Sequence, residues 1–97
     1  MIIMYEEPKD IEGFENHYFN IHVPLGSKIP HIKKESVHRV VHSQNTGLKL
    51  YLITELEFED LNTIHEALAS PEAKAAEEDG KNLMKYLHNP PIISIVD

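Results

Sequence analysis

The stretch from Phe14 to Leu25, FENHYFNIHVPL, sets two histidines and a tyrosine within an apolar run. Imidazole is the side chain best suited to take up or release a proton near neutral pH. His22 follows Tyr18 by four residues, which makes the two side chains neighbours on a helix. His22 then offers a general acid or base. Tyr18 offers a phenol that can orient it or donate a hydrogen bond to a developing oxyanion. At about 100° per residue, Phe14, Tyr18, Ile21 and Leu25 fall on one stripe. His17 and His22 sit on its shoulders, with Glu15, Asn16 and Asn20 opposite. An imidazole in such a place equally suits packing or capping of the helix end. Tyr5 and Tyr51 could add polar handles to an otherwise apolar cavity between sheet and helices.

Seven histidines invite a metal. His17 and His22 are five apart and diverge by about 140° on a regular helix. His38 and His42 share a strand face but lie roughly 13 Å apart. His65 has Asp60, Glu66 and Asp79 in its sequence neighbourhood, without a ligand spacing. No pair makes a convincing coordination sphere, and no metal is expected. No glycine-rich phosphate loop signals a flavin or nucleotide. A haem would need an axial histidine, and His65 beside Ile64 and Leu68 is better read as a core-edge residue. No cofactor is expected.

The chain of 97 residues is expected to form one domain, residues 1–97. Its formal net charge of −7, with basic residues scattered apart from Lys33-Lys34, argues against nucleic acid and anionic membranes. Cysteine is absent, which excludes disulfides, thiolate nucleophiles and thiolate metal ligands. The apolar start MIIMY meets Glu6 and Glu7 too soon for a signal peptide or membrane span. A cytoplasmic protein with no membrane partner is expected.

The elements that must position the histidines follow in order. Ile2 to Tyr5 reads as a short strand, apolar on both faces. A helix is expected from about Ile11 to Ile21, with Asp10 as N-cap. Pro24 should break or restart it and bias Val23 to an extended conformation. Leu25 to Ile29 reads as a further helical turn ended by Pro30. Lys33 to Ser43 has the β-propensity of a strand, and Ser43 to Gly47 a turn cluster, so Leu48 to Phe58 should return as a hairpin. In that last strand Leu48, Leu50, Leu52, Leu56 and Phe58 make one apolar face, while Tyr51 and Ile53 render the second face partly apolar. Asp60 should cap a helix over Leu61 to Ala69. Ser70-Pro71 opens another, whose inner positions are Ala73, Ala76, Asp79, Leu83 and Leu87. Asn89-Pro90-Pro91 stops it, and Ile92 to Val96 is the last strand.

The order β, α, β, β, α, β gives an α+β fold, the ferredoxin-like βαββαβ plait with a four-stranded antiparallel sheet. Helices cover one sheet face. The other carries apolar residues and needs a cover, for which a second copy is the simplest choice. A homodimer through the sheet faces is expected, with a monomer as the alternative.

The run Phe14, His17-Tyr18-Phe19, His22, Pro24-Leu25 resembles the F-x-x-x-Y-x-x-x-H-x-P-L signature of the EthD family. Tyr5 ending the first strand, Leu50-Tyr51, and Ala69-Ser70-Pro71-Glu72 add to the resemblance. It implies a dimeric α/β barrel built from ferredoxin-like subunits. For function it implies small-molecule work of dehydratase, decarboxylase or degradation-accessory type. The resemblance carries over His22 best and His17 less well; with the residue chemistry above, His22 and Tyr18 are expected to be catalytic, and Tyr5, His17, Tyr51 and Pro24 to bind substrate. One departure stands out: many members have glycine after the proline that leads to the second strand, whereas this chain has Pro30-His31. Two readings remain: cofactor-free acid/base catalysis on a small hydrophobic molecule, or a non-catalytic module that binds or carries a hydrophobic metabolite.

Overall fold

The computed structural model describes all residues from Met1 to Asp97. Its strands are β1 (Ile2–Glu6), β2 (Lys34–Arg39), β3 (Leu50–Glu57) and β4 (Ile92–Ser94). They form one sheet in the order β2-β3-β1-β4, and every neighbouring pair is antiparallel. With two helical segments side by side on one sheet face, this is the ferredoxin-like arrangement expected from the sequence.

Between β1 and β2 the chain runs through α1 (Ile11–His17), a π turn (Tyr18–His22) and α2 (Val23–Gly26) without leaving helical geometry. Asp10 caps α1 by accepting from the Gly13 N–H at 3.0 Å. Here the sequence expectation needs correction. Val23 is helical, with φ −59° and ψ −47°, although Pro24 follows it. The reason is the π turn, in which hydrogen bonds close over five residues, as from the Val23 N–H to the Tyr18 carbonyl. The wider turn moves aside the preceding carbonyl that a proline ring meets in a regular helix, and proline has no N–H to leave unpaired.

The second helical segment is α3 (Leu61–Leu68), capped by Asp60, then α4 (Pro71–Leu83) and a 3₁₀ turn (Met84–Tyr86). Ser70 caps α4 through its hydroxyl, which accepts from the Ala73 N–H at 3.1 Å. One apolar cluster joins helices to sheet, and a second packs the helical segments against one another. One holds Tyr5, Phe14, Tyr18, Leu52, Leu83 and Leu87, and the other Ile29, Ala67, Ala73 and Ala76.

Strands β2 and β3 are shorter than expected at the end that joins them. Residues 40–49 form a wide loop rather than a tight hairpin, and Val41 is 98% exposed. Its β-propensity meets no packing partner, and propensity alone does not hold a strand. The register sorts the faces. Tyr5 opposite Leu52, Ile3 opposite Thr54, and Val37 beside Thr54 face the helices. Ile2, Met4, Ile53 and Ile92 therefore lie on the other face, flanked by Ser36, His38 and Glu55. Tyr51 departs from the alternation. The β1–β3 register shifts between Tyr5 and Glu6, so that Leu50 to Leu52 oppose one residue fewer. This bulge re-aims Tyr51 toward α1, where its ring meets Phe14 edge-on at 6.2 Å.

His31 has φ 70°, in the left-handed region that favours glycine. A glycine here, as the resemblance implies, would meet this backbone requirement without the strain that His31 bears. His31→Gly is expected to raise stability by up to about 1 kcal/mol in a urea titration, the relieved strain exceeding the added freedom of the unfolded chain. A loss on substitution would show that the exposed His31–Glu66 contact at 3.7 Å outweighs the strain.

Candidate functional site

The π turn decides what His17 and His22 do. On a regular helix they would diverge, but one extra residue in the turn brings position five round to where position four would lie. Both imidazoles reach one carboxylate. His17 Nε2 lies 2.9 Å from Asp79 Oδ1 and 3.0 Å from Oδ2, and His22 Nδ1 lies 2.9 Å from Oδ2. Asn82, one helical turn on, donates to Oδ1 at 3.1 Å. Asp79 projects from the inner face of α4 between Ala76 and Leu83, and its side chain is only 8% exposed.

Burial pushes the Asp79 carboxyl up, but the hydrogen bonds from Asn82, His22 and His17 outweigh it. The group is held below the usual aspartate range. An ionised carboxylate only accepts, so both facing imidazole nitrogens carry hydrogen. His22 in its neutral form is thereby fixed as the Nδ1–H tautomer, and its Nε2 lone pair is left free. That atom can take a proton while Asp79 stabilises the resulting imidazolium.

Tyr18 is 2% exposed, and its ring lies 5.7 Å from that of His22. Its hydroxyl shares a hydrogen bond with Thr54, the buried hydroxyl in the middle of β3. Burial pushes the Tyr18 phenol up, only partly offset by Thr54. Tyr5 stacks edge-on against Tyr18 at 5.5 Å, so the structure gathers His17, His22, Tyr18 and Tyr5. Tyr51 sits farther along the same aromatic layer and donates its hydroxyl to Glu15. Glu15 also pairs with Arg39 at 2.6 Å, and the Arg39 guanidinium lies 5.2 Å over the Phe19 ring. Pro24 is exposed and shapes the turn rather than joining the cluster. His65 is exposed on α3.

No group of three histidine, aspartate or glutamate side chains is arranged to hold a metal ion. An open hollow of about 380 Å³ lies elsewhere, lined by Ile2, Leu56, Phe58, Leu61, Ile64 and Val96 among others. It includes none of the clustered histidines or tyrosines, and the hydrogen-bonded geometry around Asp79 is the better guide to chemistry. No helix is long and apolar enough to cross a membrane.

Asp79, Asn82, Thr54, Glu15 and Arg39 are the functional candidates that residue types alone did not single out. The signal for Asp79 was present: a charged residue on the apolar stripe of α4 must be paired when buried.

Fold and cluster together define a ferredoxin-like plait with a carboxylate-anchored histidine pair beside buried tyrosines. The chain belongs to the EthD family, whose EthD domain profile matches residues 6–85. It is similar to the crystal structure of an ethyl tert-butyl ether (EthD) family protein from Bacillus halodurans. That likeness has 34% identity and a TM-score of 0.85, and covers 99% of this chain and 93% of the other. An uncharacterized 11.0 kDa protein from the thcB-thcC intergenic region of Rhodococcus erythropolis is 32% identical over 80 residues, 82% of this chain and 78% of that protein. HapK from Hahella chejuensis shares the fold, with a TM-score of 0.55 at 14% identity over 82% of this chain and 79% of HapK.

Proposed function

We propose that this protein is a cofactor-independent acid/base catalyst of lyase type, acting on a small, mainly hydrophobic molecule. One observation carries the reading: the 2.9 Å contact from His22 Nδ1 to a buried, ionised Asp79, which frees Nε2 as the proton-transfer atom. His22 is the catalytic acid/base and Asp79 the residue that positions it. Tyr18 stiffens the wall against which His22 packs. Tyr5, His17 and Tyr51 complete the substrate surround, and Pro24 shapes the turn that carries His22. The apolar sheet face of Ile2, Met4, Ile53 and Ile92 supports a homodimer through the sheets, and with it a dimeric barrel.

A second reading, a non-catalytic carrier of a hydrophobic metabolite, is supported by the dominance of aromatic side chains around His22 and by the Thr54 bond that already engages the Tyr18 hydroxyl. The experiment separating them is a turnover screen of carbonyl and hydroxy compounds that bind, repeated with His22→Ala. The expected result is a fall in kcat of about 10²–10⁴ with binding retained. Binding ligands that are never converted would leave the carrier reading standing.

A further inference from the structure

Two surfaces at opposite ends of β3 complement each other. At its start is the wide loop of residues 40–49, where Val41 is 98% and Leu48 41% exposed. From Ser36 to Thr54 the sequence holds no carboxylate, but it does hold Arg39, His42 and Lys49. Arg39 pairs with Glu15 of its own chain, whereas Lys49 makes no ion pair. At the other end of β3 is the open hollow of about 380 Å³. Buried Leu56 and Ile64 form its floor, and Leu61 and Val96 in its walls are 45% and 52% exposed. Glu55, Glu57, Glu59 and Asp97 border it, and none of them is in an ion pair. No lysine, arginine or histidine lines it, and its one cation, the Met1 ammonium, is tied to the Leu56 carbonyl at 2.8 Å.

One chain cannot join the two surfaces, because the run of β3 from Leu50 to Glu57, about 23 Å, separates them. Two chains can. Ile2 and Glu55 line the hollow and also lie on the sheet face turned from the helices, so the hollow is continuous with that face. A twofold axis in that face, running across the strands, sets each loop at the hollow of the other copy. An axis along the strands would set loop against loop and hollow against hollow, with like charges facing.

We propose that the loop of residues 40–49 docks into the hollow of a second copy of this chain, with Val41 against Leu61 and Val96 and Lys49 among the carboxylates. The dimer then carries two such contacts. The proposal rests on the sheet-face dimer proposed above and fixes how its two copies are oriented. It gives Val41 the packing partner that its own chain does not supply.

The chain has no cysteine, so single introduced cysteines report the contact. Val41→Cys and Leu61→Cys alter exposed side chains, and each variant should fold. Mixed and oxidised with copper phenanthroline, the two should form a covalent mixed dimer at least about tenfold faster than either does with itself, since a disulfide needs its two residues close together. In sedimentation, Lys49→Glu and Glu57→Lys should each weaken the dimer about tenfold, because the twofold axis repeats every like-charge contact. Mixed in equal amounts they should recover it, since both contacts of the mixed dimer then join opposite charges. Self-cross-linking of Val41→Cys at the mixed rate would place loop against loop and overturn the proposal. So would a mixture of the charge variants no tighter than either alone. A wild type that sediments as a dimer while the cysteine mixture gives no mixed cross-link removes the docking and leaves the sheet dimer standing. A monomeric wild type removes both.

Discussion

Asp79→Ala is expected to lower the stability of the folded chain by about 2–3 kcal/mol, the usual effect of removing a charged acceptor from part-buried donors. Three donors converge on this carboxylate: His17 Nε2, His22 Nδ1 and Asn82 Nδ2. Alanine leaves the part-buried N–H groups of His17 and His22 without their acceptor, while the exposed Asn82 can turn to solvent. Urea unfolding measures the loss, and long-range ¹H–¹⁵N spectra of the imidazoles report whether the Nδ1–H tautomer of His22 survives. A loss below about 1 kcal/mol would show that the carboxylate is no anchor. The pH dependence has a definite sign. The Asp79 carboxyl titrates lower in the folded than in the unfolded chain. Its contribution is therefore fully present above the unfolded value, near pH 3.9 for aspartate, and is lost as pH falls through the lower folded value. The difference in stability between wild type and Asp79→Asn should shrink below about pH 4.

Ile53→Asp is the second large effect. Ile53 lies on the sheet face turned away from the helices, opposite Met4 on one side and His38 on the other. If two sheets meet there, each copy buries an unpaired carboxylate, and twofold symmetry counts the penalty twice. The dimer should weaken about a thousandfold or more, which sedimentation reads as a shift from dimer to monomer at micromolar concentration. The fold of each copy should persist, because the substitution does not touch the helix-side clusters. A wild-type protein that sediments as a monomer would remove the dimer from the account.

The fold was legible because its signals were local. Asp10, Asp60 and Ser70 stand where caps belong, and the alternation from Leu50 to Leu56 marks the central strand. The site was half legible. Its histidines and tyrosines were visible as types, but the geometry joining them depended on two interruptions of regular periodicity. The π turn makes a spacing of five behave as four, which no 3.6-residue wheel reveals. The bulge near Tyr51 turns that side chain toward the helices, against strict alternation. Thr54 offered the opposite clue: a polar break in an apolar strand face, explained once the Tyr18 hydroxyl was found beside it. The exposed Val41 shows where propensity overreached.

The order of the strands has a consequence for assembly. It leaves β2 and β4 as the free edges. Strand β4 is only three residues long and follows Pro90-Pro91, while β2 displays exposed Lys34, Glu35, His38 and Arg39. Short, proline-preceded and charged edges are poor templates for further strands. Growth by lateral pairing is thereby discouraged, while face-to-face association remains open. Any self-association of this chain is channelled toward a closed, finite particle and away from a fibre.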